Sequence, residues 1–180
     1  MVEGLELTRH GALLAMLICC AYTDLAKGKI YNAVTLPGLF LGLGLSFALD
    51  GAAPERRLFL ESLYSVAIGG GAMFILYLFG GFGAGDVKLM AAVGALSASR
   101  SFTICSLMYA ALIGAAVAIG LLIWKGRLLE GLKRSARLLF TLRRGARKAE
   151  AADDLFLPYG FAISAGALWA WLTLIAGVRL

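Results

Sequence analysis

The chain has 180 residues, of which 61% are hydrophobic and 16% are charged, and its formal net charge is +6. Soluble domains usually carry about 45–50% apolar and about 25% charged residues. This composition excludes an ordinary soluble domain. It predicts an all-α, polytopic membrane protein that forms one membrane-embedded domain over residues 1–180.

Apolar segments predict about six helices, because a bilayer core about 30 Å thick requires about 20 apolar residues in a helix. In chain order these segments are residues 5–22, 33–49, 58–80, 86–98, 101–124 and 157–178. The fourth segment would rise only about 20 Å, so we do not expect this short helix to span the membrane alone. A cleaved signal peptide is the alternative for the first segment, but Glu3 and Glu6 stand where such a peptide carries positive charge.

The distribution of lysine and arginine indicates the orientation of the helices, since cytoplasmic loops are enriched in both. With both termini outside, the cytoplasmic segments hold twelve of the 17 basic residues and the outside holds five. This N-out, C-out topology places two aspartates, Asp24 and Asp86, at the cytoplasmic side of the membrane.

Residues 125–156 form a basic cytoplasmic loop before the last predicted helix. Leu128, Leu132, Ala136 and Leu139 recur at helical spacing among its charges, which predicts an amphipathic helix lying on the inner leaflet. Anionic lipid would attract this helix by about 1 kcal/mol per basic residue. Because a positive-inside loop already explains the charge, we expect membrane lipids and no nucleic acid as its partner.

Asp24 and Asp86 are ionisable residues within or beside membrane segments, and such residues mark candidate functional sites. A structural explanation exists for each: Asp86 could be the N-cap of the short helix, and Asp24 a loop residue paired with Lys27. Neither explains the glycines before Asp86. Gly83 and Gly85 lack side chains, which lets the backbone approach a second helix or an extended peptide.

If the two carboxyl groups face each other, they cannot both ionise easily and would share a proton. One could then act as a general base on water and the other as a general acid toward a carbonyl oxygen. This is the chemistry of aspartic proteases, which requires no metal or cofactor. Cys19, Cys20 and Cys105 show no metal-ligand spacing, so we expect no metal site.

The sequence around Asp86 resembles a known family. Gly83-Ala84-Gly85-Asp86 is similar to the GxGD motif of membrane-embedded aspartic peptidases, and GAGDVKLMAAVGAL resembles the form found in type IV prepilin peptidases. Two further stretches are similar to segments of that family: Asp24 with Lys27, Lys29, Ile30 and Asn32, and Pro158-Tyr159-Gly160 at the start of the last helix. Tyr31 and Ala26 depart from the family pattern. The short chain resembles the peptidases of tight-adherence pilus systems.

The resemblance implies an aspartic endopeptidase of the bacterial inner membrane that removes a short basic leader from prepilins at the cytoplasmic face. Asp24 and Asp86 would be the catalytic pair, with the acid and base roles unassigned. Gly83 and Gly85 would support the site, and Lys88 would tune the charge of the pair or bind lipid phosphate. Pro158, Tyr159 and Gly160 are expected to start a helix more than to contact substrate.

Two acidic residues, Asp153 and Asp154, stand out in the basic loop, where they could steer a basic leader toward the site or merely end the amphipathic helix. Only 23 residues precede Asp24, which leaves no room there for the cysteine-bearing segment of the relatives that also methylate pilins. We therefore expect no N-methylation and no S-adenosylmethionine. The alternatives are a proton- or cation-coupled transporter or channel, and a non-catalytic membrane scaffold of a secretion system. The oligomeric state and the pilin remain open.

Overall fold

The computed structural model describes residues 2–52, 57–80, 82–124 and 159–174, and these residues form six α-helices. The helices are α1 (Val2–Lys27), α2 (Asn32–Ala52), α3 (Leu58–Leu78), α4 (Ala84–Ser97), α5 (Arg100–Trp124) and α6 (Tyr159–Leu174). The prediction of an all-helical chain is thus confirmed for the described residues. The predicted basic loop, with Asp153, Asp154 and Pro158, lies outside them.

Four of these helices are long and apolar enough to cross a membrane: α1, α2, α3 and α5. Helix α6 is apolar but has only 16 described residues, and α4 has 14. Many large side chains on the long helices face outward, such as Phe40, Phe74 and Leu112, which are 67%, 49% and 65% exposed. Such an apolar exterior is what a helix bundle presents to lipid.

Helix α4 forms the centre of the bundle and contacts each of the other five helices. Four of its apolar side chains, Leu89, Met90, Val93 and Leu96, are completely buried. A helix that is apolar on all sides is typical of the interior of a bundle. The short length of α4 therefore reflects enclosure by the longer helices, which fix the position of the aspartate near its start.

Glycines allow α2 and α3 to pack directly against the backbone of α4. A Cβ atom added at Gly42 would lie 2.6 Å from the carbonyl carbon of Ala95, and one added at Gly94 would lie 2.5 Å from the carbonyl oxygen of Ser65. Such distances leave no space for a side chain, so the backbones of the helices are in contact. Close approach of this kind is common where helices associate in a membrane.

Two helix boundaries differ from the predicted ones in ways that matter for the site. Helix α1 continues to Lys27, five residues beyond the predicted end, so Asp24 is a helical residue and not a loop residue. It ends at Gly28, which takes the left-handed conformation with φ of 62° and donates its N–H to the carbonyl of Asp24 at 2.8 Å. Glycine is favoured at this position because it has no Cβ.

Helix α4 begins at Ala84, two residues before the predicted start. The N-cap is therefore Gly83, and the prediction that Asp86 is the N-cap is wrong. Asp86 lies at the third helical position, where its side chain can reach back to the first turn.

Candidate active site

Asp24 and Asp86 line the same cleft, which has a volume of about 490 Å³. Four parts of the chain build its walls: the end of α1, the loop from α1 to α2, the start of α4 and the start of α6. The lining residues are Asp24, Gly28, Lys29, Ile30, Tyr31, Asn32, Gly83, Gly85, Asp86 and Tyr159. The fold thus brings together two carboxyl groups that lie on different helices.

Asp24 is only 5% exposed and is held by the start of α6. Its Oδ2 atom accepts a hydrogen bond from the backbone N–H of Phe161 at 2.8 Å. The first N–H groups of a helix have no partner within the helix, and the positive end of the helix dipole lies there. The start of α6 therefore both orients the Asp24 carboxylate and stabilises negative charge on it.

Asp86 is 7% exposed and is held by its own helix. Its Oδ2 atom accepts the backbone N–H of Gly83 at 2.9 Å, while the N–H of Asp86 donates to the Gly83 carbonyl at 3.1 Å. This is the helix N-terminal arrangement in which an acidic residue at the third position binds the N-cap backbone. It fixes the side chain in the wall of the cleft.

The protonation equilibrium of Asp86, which lies outside the four candidate spans, is shifted toward the neutral acid. Burial raises its pKa from 3.8 to about 6, the hydrogen bond from Gly83 opposes this rise, and the nearby charge of Asp24 adds to it. A carboxyl group with such a pKa can both hold and release a proton near neutral pH. This property suits a group that takes part in general acid–base chemistry.

Ile30, in the loop from α1 to α2, packs between the starts of α4 and α6. A Cβ atom added at Gly85 would lie 3.0 Å from the Ile30 Cβ, and one added at Gly160 would lie 2.6 Å from the Ile30 Cδ1. Gly85 precedes Asp86, and an added Cβ at Gly160 would also lie 2.9 Å from the Cγ of Asp24. One side chain thus sets the spacing between the two segments that hold the aspartates.

A hydrogen bond joins α4 to the start of α2 at the rim of the cleft. Lys88 Nζ donates to Asn32 Oδ1 at 2.9 Å. The ammonium group of Lys27, at the end of α1, lies 5.7 Å from the centre of the Tyr31 ring in the loop, within the range of a cation–π contact. The first contact connects the helix that carries Asp86 to the start of α2, and the second connects the helix that carries Asp24 to the loop.

A comparison with protein families identifies the kind of protein that carries this cleft. The model of the type IV leader peptidase family matches residues 11–119, which is more than half of the chain and includes both aspartates. The chain belongs to the type IV leader peptidase family. No curated protein and no solved structure matches the chain. The resemblance seen in the sequence is thus confirmed at the level of the family: the chain is a membrane-embedded peptidase of the leader peptidase kind, with a protein substrate.

The structure of this leader peptidase family member places most of the predicted site residues around one cleft. Asp24, Asp86, Gly83, Gly85 and Tyr159 line it, and Gly160 lies against Asp24. Tyr159 begins α6, as expected, so Tyr159 and Gly160 start a helix. Lys88 is at the rim and bonds to Asn32 instead of an aspartate. Asp153, Asp154 and Pro158 lie outside the described residues.

Sequence reasoning missed the residues that hold the aspartates in place. Ile30 and Asn32 were identified only as part of a family-like stretch, and Phe161 was not identified at all. The glycines did carry a signal, since Gly85 predicted a close backbone approach, and Ile30 is the partner. Among the residues that the structure describes, no three His, Cys, Asp or Glu side chains are grouped so that they could hold a metal ion.

Proposed function

We propose that the protein is an aspartic endopeptidase in which Asp24 and Asp86 form the catalytic pair. The observation that carries this proposal is that two buried carboxyl groups, from α1 and α4, line one open cleft. The raised pKa of Asp86 supports it, because a pair that shares one proton requires one member to remain neutral near physiological pH. The acid and base roles belong to the pair, since interacting carboxyl groups titrate together.

The chemistry follows from the way each carboxyl group is held. In both aspartates Oδ2 accepts a backbone N–H. In the proposed mechanism a water molecule binds between the two carboxyl groups. The ionised member takes a proton from this water as the water attacks the scissile carbonyl carbon, and the neutral member protonates the carbonyl oxygen. The resulting tetrahedral intermediate then collapses with proton transfer to the leaving amine.

The proposed substrate is a prepilin, cut between its short basic leader and the apolar helix that follows. The proposed topology, with both termini outside, puts the cleft at the cytoplasmic face of a bacterial inner membrane, where such a leader is located. Asp153 and Asp154 would attract the basic leader. We further propose that the new N-terminus is left unmethylated, because the described residues form only helices and so contain no glycine-rich turn from a strand into a helix, the kind that holds a nucleotide-like cofactor.

The test is to co-express the protein with candidate prepilins and to follow the mobility shift produced by leader removal. Cleavage should occur with the wild-type chain and be lost with Asp24→Asn or Asp86→Asn, while each variant remains in the membrane fraction. Mass spectrometry of the product should show a new N-terminus without an added methyl group. Leader removal by either aspartate variant at the wild-type rate would exclude the proposed mechanism. In that case, proton flux through liposomes carrying the purified protein would test the transporter alternative.

A further inference from the structure

A second cavity, of about 260 Å³, lies between α3, α5 and α6. The side chains that line it are apolar apart from that of Tyr159. The lining residues are Met73, Leu76, Phe82, Leu107, Ala110, Ala111, Gly114, Ala115, Ala118, Tyr159, Ala162 and Ile163. We refer to this cavity as the apolar groove.

One face of α5 forms the longest wall of the apolar groove. The α5 residues that line the groove, from Leu107 to Ala118, follow one another at alternating spacings of three residues and one residue. This pattern places them on one side of the helix. They extend over about 16 Å along the helix axis. On another face of α5, Leu112 and Ile119 are 65% and 54% exposed. The groove is therefore a recess in the surface, set apart from the part of α5 where large side chains project outward.

The apolar groove lies next to the catalytic cleft, and the two share one lining residue. Tyr159 lines both of them, and its ring lies 4.5 Å from the ring of Phe82, which also lines the groove. The pair therefore forms the boundary between a polar space that holds two carboxyl groups and an apolar space between membrane helices. The apolar groove is therefore the apolar surface that lies next to the two aspartates on the side of Tyr159.

We propose that the apolar groove binds the apolar segment of the substrate that adjoins the scissile bond. This inference rests on the proposed function, and it assigns to the segment a path along α5 from Tyr159 toward Leu107. The small side chains on this wall, Ala111, Gly114 and Ala115, let another backbone approach closely. Burial of apolar groups there holds the substrate while its polar leader remains in the cleft, so the junction between the two lies at the aspartates.

Cysteine cross-linking tests the path directly. The enzyme carries Asp86→Asn to prevent cleavage, Cys19, Cys20 and Cys105 are replaced by serine, and one cysteine is introduced as Ala115→Cys in the groove. The matched control is Ala116→Cys, which is also exposed but does not line the groove. The prepilin that the wild-type protein cleaves carries single cysteines in its apolar segment, within the first three turns after the scissile bond. Cross-links should form with Ala115→Cys and be at least about tenfold weaker with Ala116→Cys.

A kinetic measurement gives a second readout in an enzyme with both aspartates. Ala115→Leu narrows the groove and should raise the KM for membrane-embedded prepilin about tenfold, the factor that corresponds to about 1.4 kcal/mol. It should leave kcat unchanged, because Ala115 does not line the catalytic cleft. Ala116→Leu adds the same volume outside the groove and should change neither constant.

The outcomes separate this inference from the proposed function. Two results contradict binding of the apolar segment in the apolar groove and leave the peptidase assignment in place. In the first, the wild-type protein cleaves the prepilin while both cysteine positions cross-link equally, and in the second it cleaves the prepilin while Ala115→Cys gives no cross-link. Cross-links between two enzyme molecules in place of substrate would show that a second copy occupies the groove, and would overturn the inference. If wild-type protein cleaves no prepilin, both proposals fail.

Discussion

Asp86 and Asp24 are anchored in opposite ways, although they line the same cleft. Asp86 accepts the N–H of Gly83, three residues earlier, so its position arises within α4 itself. Asp24 accepts the N–H of Phe161, which lies 137 residues further along the chain. One aspartate is thus positioned by local helix geometry, whereas the other requires α6 to pack against α1. The comparison indicates that the cleft is complete only when the last described helix is in place.

The largest expected effect concerns the two carboxyl groups themselves, which should contribute equally to kcat although they are held in different ways. Asp24→Asn and Asp86→Asn should each lower kcat by about a thousandfold or more, since general acid–base catalysis contributes factors of this size. The double variant should be no worse than either single one, because the two groups act as a unit. Leader removal from prepilin, measured at equal amounts of membrane-inserted protein, checks this. Additive losses would show that the carboxyl groups act separately.

A second test acts on the anchors. Gly160→Ala should lower kcat about a hundredfold, because its Cβ would lie 2.9 Å from the Cγ of Asp24, and small displacements of catalytic groups have effects of this order. Gly83→Ala is the matched control at the other anchor. Its Cβ would lie 3.4 Å from Asp86 Oδ2 at a φ of −85°, so its effect should remain within a factor of about three.

Ile30 separates the possible causes of a Gly160→Ala defect. Adding Ile30→Ala removes the contacts with Ile30 Cδ1 and Cγ1 but leaves the one with Asp24. Thermal stability should then recover while kcat stays low. Recovery of kcat together with stability would mean that Gly160 supports packing only and does not determine the position of Asp24.

A third test concerns the loss of folding stability that arises because the buried carboxyl group of Asp86 resists ionisation. Its pKa is raised from 3.8 to about 6, so between these pH values the folded state retains a proton that the unfolded state has released. Stability is therefore lost as pH rises through this window. Asp86→Asn avoids the loss and should be more stable by about 3 kcal/mol well above pH 6, with no difference below pH 4. Unfolding midpoints in detergent across the pH range measure this, and a difference that does not change with pH would contradict it.

The smallest expected effect comes from the rim of the cleft. Lys88→Met and Asn32→Ala each remove the hydrogen bond between α4 and the start of α2, and each should lower kcat/KM about threefold, since hydrogen bonds contribute about 0.5–1.5 kcal/mol. The double variant should equal the single ones. If Lys88→Met has a much larger effect than Asn32→Ala, then the charge of Lys88 acts on the aspartates or on lipid, as the sequence suggested.

The sequence predicted the parts of this structure that depend on neighbouring residues. Six helices follow from apolar segments, and Asp24 and Asp86 were selected as candidates because carboxylates are rare in such segments; their pairing was implied by the resemblance carried by the GAGD stretch. The ends of the helices were predicted less accurately, although a glycine such as Gly28 often follows the last residue of a helix. Because α1 continues to that glycine, Asp24 is helical and directed toward α6.

The contacts between distant segments could not be predicted in the same way. Nothing near Phe161 indicates that its backbone N–H binds Asp24, because every helix start offers free N–H groups. The glycines before Asp86 predicted that another segment approaches the backbone closely at Gly85. That this segment carries Ile30 depends on how α1, α4 and α6 pack, which the sequence does not show. The wall shared by the cleft and the apolar groove likewise depends on how these helices meet α5.

The glycine contacts that surround α4 have a consequence for genetics. Gly94 lies eight residues beyond Asp86, or about 12 Å along the helix, yet a side chain there would collide with the α3 backbone and displace the whole of α4. Gly42 of α2 packs against the backbone of α4 at the next residue, Ala95, in the same way. A screen of random mutants for loss of leader-peptide cleavage would therefore yield two spatially separate groups of alleles, one at the aspartates and one in the middle of the bundle. Second-site suppressors of the latter group should map to small residues on the facing helix.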